Sequence, residues 1–365
     1  MSRAIMLTAI FLAGYAVLNV TATTYYVNAS RTDDSGAGTS WGAAKKSIQA
    51  AINISAAGDT IIVTNGLYAP ISTDNKAITI QSVNGAEVTV IDGAGENRCA
   101  SLGTIPLQTK SILYGFTLQN GTASSGGGSY CGSLYNCTLS NNTASFGGGA
   151  YYSTLNNCML SGNTATSNGG GAHSGSLYNC TLSNNTASSG GGVYISYGTL
   201  NNCILSGNTA SSGGGSYGGT LNNCFIVGNV ATNGGGAYYG GTGMALNNCT
   251  VVGNMARSSY GGVSYGTLNN CIVRDNALSS GFASDVCGRG IYVYTCAPEL
   301  SAMNGCISDA PLFVDAAAGD YRLQSGSPCV DSGLNALSPA RPDADGCIRI
   351  ADGNGDGMAT VDMGA

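Results

Sequence analysis

Few side chains in this 365-residue chain could do acid–base, nucleophilic or metal chemistry, and they lie almost wholly outside its middle. Lys76, Asp92, Glu96, Arg98 and Lys110 cluster ahead of that middle. Catalytic proton transfer needs a titratable group within hydrogen-bond reach of the reacting atom, and hydrolysis of a sugar linkage needs two carboxylates at a fixed separation. These five are the candidates for such chemistry, but their order matches no motif, so no catalytic residue is assigned. From Ser111 to Ala256, 146 residues contain no Asp, Glu, Lys or Arg. His173 is the sole histidine, and without a carboxylate to orient it the expected role is a surface or stacking residue, not a base. Near the far end, Asp352-Gly-Asn354-Gly-Asp356-Gly357 resembles the opening of a calcium loop, with oxygen ligands at alternate positions and Gly at the sixth. Position twelve of that loop would be Met363, and Asp362 stands one place early. A Ca2+ ion on Asp352, Asn354 and Asp356 is therefore one expectation, and an ion-free tail turn is the other. No other cofactor is expected.

The middle must be built to hold something other than charge, and its order is repetition. Cys137, Cys158, Cys180, Cys203, Cys224, Cys249 and Cys271 recur at spacings of 21, 22, 23, 21, 25 and 22 residues, each in a phrase Leu-x-Asn-Cys-x-(Leu/Ile/Val)-x-x-Asn. Such periods mark units that bury their apolar edge only against neighbouring copies. In the copy from Leu134 to Thr154, apolar alternation, then Asn142, then Gly147 to Gly149 read as three short strands separated by turns, with Asn and Gly supplying left-handed corners. A leucine-rich horseshoe is the rival, but its convex helix would have to carry three adjacent glycines at a cost of about 3 kcal/mol. Coils stacked about 4.8 Å apart place like on like. Asn142, Asn163, Asn185, Asn208, Asn229, Asn254 and Asn276 then form one amide column at a corner.

Two further columns follow from the register. Tyr130, Tyr151, His173, Tyr194, Tyr217 and Tyr238 align after the glycines, each preceded by a small residue that would point inward. The five tyrosines form an outward aromatic stripe, either a platform for sugar rings or a protein partner, or a self-stacked shield for the sheet. The seven ladder cysteines read as small buried hydrophobes, because in-register Cβ atoms about 4.8 Å apart exceed the roughly 3.5–4.5 Å of a relaxed bridge. Cys99, Cys131, Cys287, Cys296, Cys306, Cys329 and Cys347 are the disulfide candidates, in pairings that spacing leaves open.

Copies such as Leu160-Ser-Gly-Asn163 followed by Gly169-Gly-Gly-Ala172 resemble the repeats of polymorphic outer-membrane proteins, with Leu, Ile or Val in place of that family's Phe. The flanking phrases Tyr25-Tyr-Val27, Thr39-Ser-Trp41, Ile48-Gln-Ala-Ala51, Gly58-Asp-Thr-Ile61 and Pro311-Leu-Phe-Val-Asp315 resemble secreted bacterial right-handed β-helix proteins of the pectin-lyase-like superfamily. That resemblance implies polysaccharide lyases or hydrolases working with carboxylates, carboxylate-bound calcium and a basic residue. Val361-Asp-Met-Gly-Ala365 is similar to that group's closing phrase, which runs on by an aromatic and an acid, so further residues are expected.

Arg3, the apolar run Ala4 to Val20 and the small-residue site Val20-Thr21-Ala22 predict a secretory signal peptide, with a retained N-terminal anchor as the alternative. A net charge of −6 gives no basic footprint, so nucleic acid is not an expected partner. The expected molecule is all-β: a right-handed parallel β-helix solenoid with an N-terminal helical cap, centred on Ala43 to Ala56, and a loop-rich C-terminal cap. Its expected segments are a signal peptide (1–22), cap and first coils (23–112), repeat coils (113–277), and last coils with the C-terminal cap (278–365). The expected function is that of an exported, non-catalytic protein of the cell surface or extracellular space, adhesin-like, binding a polysaccharide or a molecule on a host or neighbouring cell. The alternative is a polysaccharide lyase or hydrolase with its site near the N-terminal coils.

Overall fold

The structure, a computed structural model, describes residues 22–104, 111–238, 243–287, 289–300, 302–338, 342–343 and 346–365. The predicted signal peptide up to Thr21 and Lys110 lie outside the described residues. Within them the chain winds as a right-handed parallel β-helix of about ten turns. Among the described residues one side is a 12-stranded parallel sheet and the next a 10-stranded one; the remaining side carries a 9-stranded sheet beside shorter sheets of three and four strands.

One coil shows how the sequence produces this path. Ser133–Tyr135 lies in the first sheet, Thr138–Ser140 in the second, and Thr143–Phe146 and Ala150–Tyr151 on the third side. Sequence reasoning gives three strands per copy; the structure has four, because the glycines break the third side in two. Gly147 has φ +63, and a Cβ on Gly148 or Gly149 would fall 2.5 Å from a carbonyl oxygen of the next coil, Gly170 or Gly171. Asn136, Asn157, Asn179, Asn202, Asn223, Asn248 and Asn270 make the turn between first and second sheets, all near φ +50. Asparagine reaches this region more easily than other non-glycine residues.

The interior is a set of columns. Leu113, Leu134, Leu155, Leu177, Leu200, Leu221, Leu246 and Leu268 stack through the first sheet, fully buried. The seven ladder cysteines follow as a single buried file of free thiols. Their polar hydrogens are used: Cys271 Sγ donates to Asn269 O at 3.3 Å and Leu246 O at 3.4 Å, and Cys203 repeats the pattern. Burial holds Cys137, Cys224 and Cys271 well above the ordinary thiol range.

At the corner after the second sheet the amide column forms as its spacing predicts. Asn208 Nδ2 donates to Asn229 Oδ1 at 2.9 Å and to Leu182 O at 2.9 Å, while its own Oδ1 accepts the backbone and side-chain N–H of Asn185, each at 3.0 Å. All seven asparagines are buried. The column ends on a carboxylate: Asp285 Oδ1 accepts from Asn276 N at 2.8 Å and Nδ2 at 2.7 Å.

The two ends are closed in different ways. The N-terminal cap helix is Ile48–Ile54, capped by Ser47 Oγ accepting from Ala50 N–H, and it buries Ile48, Ala51 and Ile52 over the open coil. The first strand is Thr24–Val27, with Thr60–Val63 pairing beside it, and its alternation seats Val27 in the core. The C-terminal segment does not merely close the far end. It turns back along the trunk, its hairpin Phe313–Asp315 with Asp320–Leu323 lying against the second sheet.

Candidate functional site

The charged residues of the first coils are each tied down by separate partners and do not converge on one another. Asp92 accepts from Ala94 N–H at 2.8 Å, Gln119 Nε2 at 2.8 Å and Asn120 Nδ2 at 3.2 Å. The Gln119 hydrogen bond, with that of Ala94, holds its carboxyl below the usual carboxylate range. Lys76 Nζ donates to Ile52 O at 2.6 Å at the end of the cap helix. Arg98 donates to Ser125 O at 2.8 Å and Gly126 O at 3.0 Å and covers the Tyr130 ring at 4.8 Å. Glu96 is exposed. A shallow cleft of about 790 Å3 lined by Leu67, Tyr68, Pro70, Gly95 and Asn120 takes in Asp92 alone of these residues. It holds one carboxylate, engaged by amides.

The aromatic stripe is assembled in register, but in a particular way. Tyr194 stacks on Tyr217 at 4.9 Å and 13°, Tyr130 on Tyr151 at 5.4 Å and 19°, and Tyr217 meets Tyr238 at 5.5 Å and 43°. His173 lies between Tyr151 and Tyr194, 5.0 Å from each, buried, its Nδ1 without a hydrogen-bond partner; burial lowers its pKa. Ring faces are thus turned to each other, and Arg98 caps the face of Tyr130. The stripe offers edges and hydroxyls to solvent, the geometry of a shield.

The outer face of the first sheet carries a column that sequence reasoning missed. Tyr114, Tyr135, Asn156, Tyr178, Asn201, Asn222, Asn247 and Asn269 are register partners along it. Asn222 Nδ2 donates to Asn201 Oδ1 at 3.0 Å, Asn247 to Asn222 and Asn269 to Asn247, both at 2.8 Å. A primary amide has two N–H donors and two acceptor lone pairs. The inner rungs use one of each here, and the other of each remains for a ligand lying along the sheet. The signal was in the phrase Leu-x-Asn-Cys itself, whose x position turns outward once Leu turns in.

The tail brings a second cleft, of about 550 Å3, between the second sheet and the returning hairpin, lined by Ile204, Phe225, Val227, Tyr321 and the ion pair Asp320–Arg322. Asp352, Asn354 and Asp356 lie on an exposed turn. Asp352 already accepts from the N–H of Gly355 at 2.7 Å and Gly357 at 2.9 Å, and Asp362 Oδ1 accepts from Asp331 N. The hard-oxygen donors suit calcium, and Met363 stands at the twelfth position, where a bidentate carboxylate would close the cage. Among the described residues no group of three or more His, Cys, Asp or Glu side chains could hold a metal ion. No helix of the described residues is long and apolar enough to cross a membrane.

Two solved structures set this geometry among known proteins. A pectate lyase, Pel9A, superimposes with a TM-score of 0.59 at 14% identity, covering 94% of this chain and 96% of its own. A rhamnogalacturonan lyase does so with a TM-score of 0.50 at 12% identity, covering 80% and 90%. No family model matches the chain, and no curated protein matches it in sequence. The chain thus has the pectin-lyase-like parallel β-helix fold.

Proposed function

We propose that this is an exported β-helical protein that binds an extended polysaccharide along the outer face of its first sheet without cleaving it. The observation that carries this reading is the uncharged amide column Asn201, Asn222, Asn247 and Asn269, continuing the tyrosines 114, 135 and 178. Aligned half-used amides suit a repeating ligand rich in hydroxyls, and the aromatic rings add apolar area with a polar tip. The 146-residue trunk stretch itself contributes no Asp, Glu, Lys or Arg to this face. The lyases of the same fold act on polysaccharides by their names, which supports the ligand class. Cell-surface or extracellular placement rests on the predicted signal peptide, and calcium enters as a weak ligand of the 352–356 turn, removed from the reading if titration calorimetry shows no heat at millimolar ion.

Affinity electrophoresis through polysaccharide gels, with glycan arrays, tests it. Asn222→Ala with Asn247→Ala should weaken retention about tenfold, roughly two lost hydrogen bonds, while Tyr194→Ala with Tyr217→Ala should leave it unchanged. Equal retention of the amide variant and the wild type sinks the proposal; loss only in the tyrosine variant moves the site to the stripe. The second reading, a lyase, draws on the cleft beside Asp92. Unsaturated product absorbance from uronic-acid polymers, abolished by Asp92→Asn, would replace the binding reading with it.

A further inference from the structure

The thiol file stops at Cys271, and in the following coil Cys296 is out of phase with it by one residue. Thr295 takes the interior position of the following coil: its Oγ1 donates to Val293 O at 3.2 Å and Leu268 O at 3.3 Å, matching the two bonds that Cys271 makes one rung earlier. Cys296 therefore sits where Ile272 sits in the coil below, bridged to it in parallel, and faces outward from the coil. There it is not exposed. It packs with Ile272, Cys329 and Met363 in a cluster separate from the main core, and both cysteines have 0% exposure.

Cys329 is carried to that place by the returning tail. Its N–H donates to Ser327 Oγ at 3.1 Å and its carbonyl accepts from Met363 N at 3.0 Å, so two tail segments fix it. Phe313, Leu323, Tyr294 and Ile307 close the cluster. Each thiol is the strongest influence on the other's ionisation, lowering Cys296 and raising Cys329, as two sulfurs in side-chain contact would. The ladder thiols are stacked side by side at strand spacing, about 4.8 Å, with their Cβ vectors parallel. This pair instead comes from two segments that are not strand neighbours, one from the coil and one from the tail, so no ladder register holds the two apart.

We propose that Cys296 and Cys329 form a disulfide that fastens the C-terminal tail to the last coil, closed by exchange with an oxidant of the disulfide class. One thiol loses its proton and attacks the oxidant's S–S bond, giving a mixed disulfide and one oxidant thiol. The second cysteine then attacks the mixed disulfide, forming the Cys296–Cys329 bond and releasing the second oxidant thiol. The oxidant leaves with the two electrons and two protons, and the burial of both sulfurs places the reaction during tail docking. Occurrence in the producing cell rests on the export reading above, since such bonds persist in oxidising compartments; the chemistry of the pair does not.

The test is peptide mapping by mass spectrometry after alkylation of denatured, unreduced protein. Two samples are compared: protein refolded in a mixture of reduced and oxidised glutathione, and protein recovered from the culture medium of an expressing bacterium. A Cys296–Cys329 linked peptide in both samples supports the bond and export together. The linked peptide only in the glutathione sample supports the bond and counts against export. Alkylation of both cysteines in both samples, or linkage of either to a different cysteine, overturns the proposal. Cys329→Ser should lower the thermal midpoint of oxidised protein by roughly 5–10 °C and leave that of reduced protein near the wild type, while Cys306→Ser should retain the linked peptide. An equal drop in reduced and oxidised Cys329→Ser protein, with no linked peptide in the wild type, would mark a packing role alone and overturn it.

Discussion

The repeat trunk and the returning tail solve the same problem, how to satisfy backbone and polar groups, by opposite means. In the trunk every rung is satisfied by a copy of itself: Asn163 on Asn185, Asn185 on Asn208, Asn208 on Asn229. In the tail each contact occurs once. Asn223 Nδ2 donates to Pro342 O at 2.9 Å, Asn248 Nδ2 to Asp362 O at 3.2 Å, and Asn270 exchanges two bonds with Leu334. Thr250 Oγ1 receives the N–H of Ala365. The same turn asparagine that merely bends the chain in early coils becomes a hook for the tail in later ones. Stability in a solenoid is close to a sum of neighbour terms, so a lesion in the trunk should strike two interfaces and a lesion in the tail only one.

The sharpest way to break that comparison is Asn208→Ala. It removes two donor bonds and leaves the Asn185 N–H and amide without their acceptor in a site that excludes water. Each buried unsatisfied group costs about 1–3 kcal/mol, so a loss of roughly 3–5 kcal/mol is expected in urea unfolding. The tail counterpart, Asn335→Ala, loses one bond to Ala359 O and one from Val361 N–H at an exposed position, with an expected cost of about 1 kcal/mol. Equal losses at the two sites would refute the asymmetry.

Where trunk meets tail, the amide column ends on Asp285, and the junction gives a pH effect of known sign. Burial pushes the Asp285 carboxyl up to about 6, against the opposing hydrogen bonds of Asn276. Its folded state therefore holds a proton that the unfolded chain, near 3.9, releases. The contribution is fully present below about pH 4 and is lost as pH rises through about 6, a swing on the order of 3 kcal/mol. Asp285→Asn keeps an acceptor for Asn276 and adds one more amide rung. Its unfolding free energy minus that of the wild type should rise between pH 4 and 7. A flat difference across that range would show that the carboxylate ends the column at no electrostatic cost.

Most of this architecture was legible because it is periodic. Seven cysteines and seven asparagines at matching phases announce a stack, and the stack requires their burial. What periodicity could not reveal was of two kinds. The split of the third side into two strands depends on carbonyl contacts between Gly148 and Gly170, which exist only once coils are stacked. The path of the tail depends on single contacts, such as Asn248 with Asp362 and Tyr321 beside Phe225, which no spacing encodes. The outward amide column was readable in principle, since Asn stands one residue after Leu in the later copies; Tyr114, Tyr135 and Tyr178 at that position in earlier coils hid it.

The smallest expected effect tests whether the trunk's one titratable interruption matters. His173 stands in a tyrosine column, between rings 5.0 Å away on both sides, with Nδ1 buried and unpaired. His173→Tyr restores the column's chemistry and removes that orphan, so stability at pH 8 should change by no more than about 1 kcal/mol. Burial lowers the imidazole pKa, so here the sign opposes that of Asp285. The wild type keeps its full stability above about pH 6.5 and loses it as pH falls toward the folded value, because the unfolded chain takes the proton first. The tyrosine variant should therefore gain on the wild type in thermal midpoint between pH 7 and 5. A midpoint difference independent of pH would mean that the imidazole is hydrated after all, and that the stripe at this rung is open enough to admit a ligand.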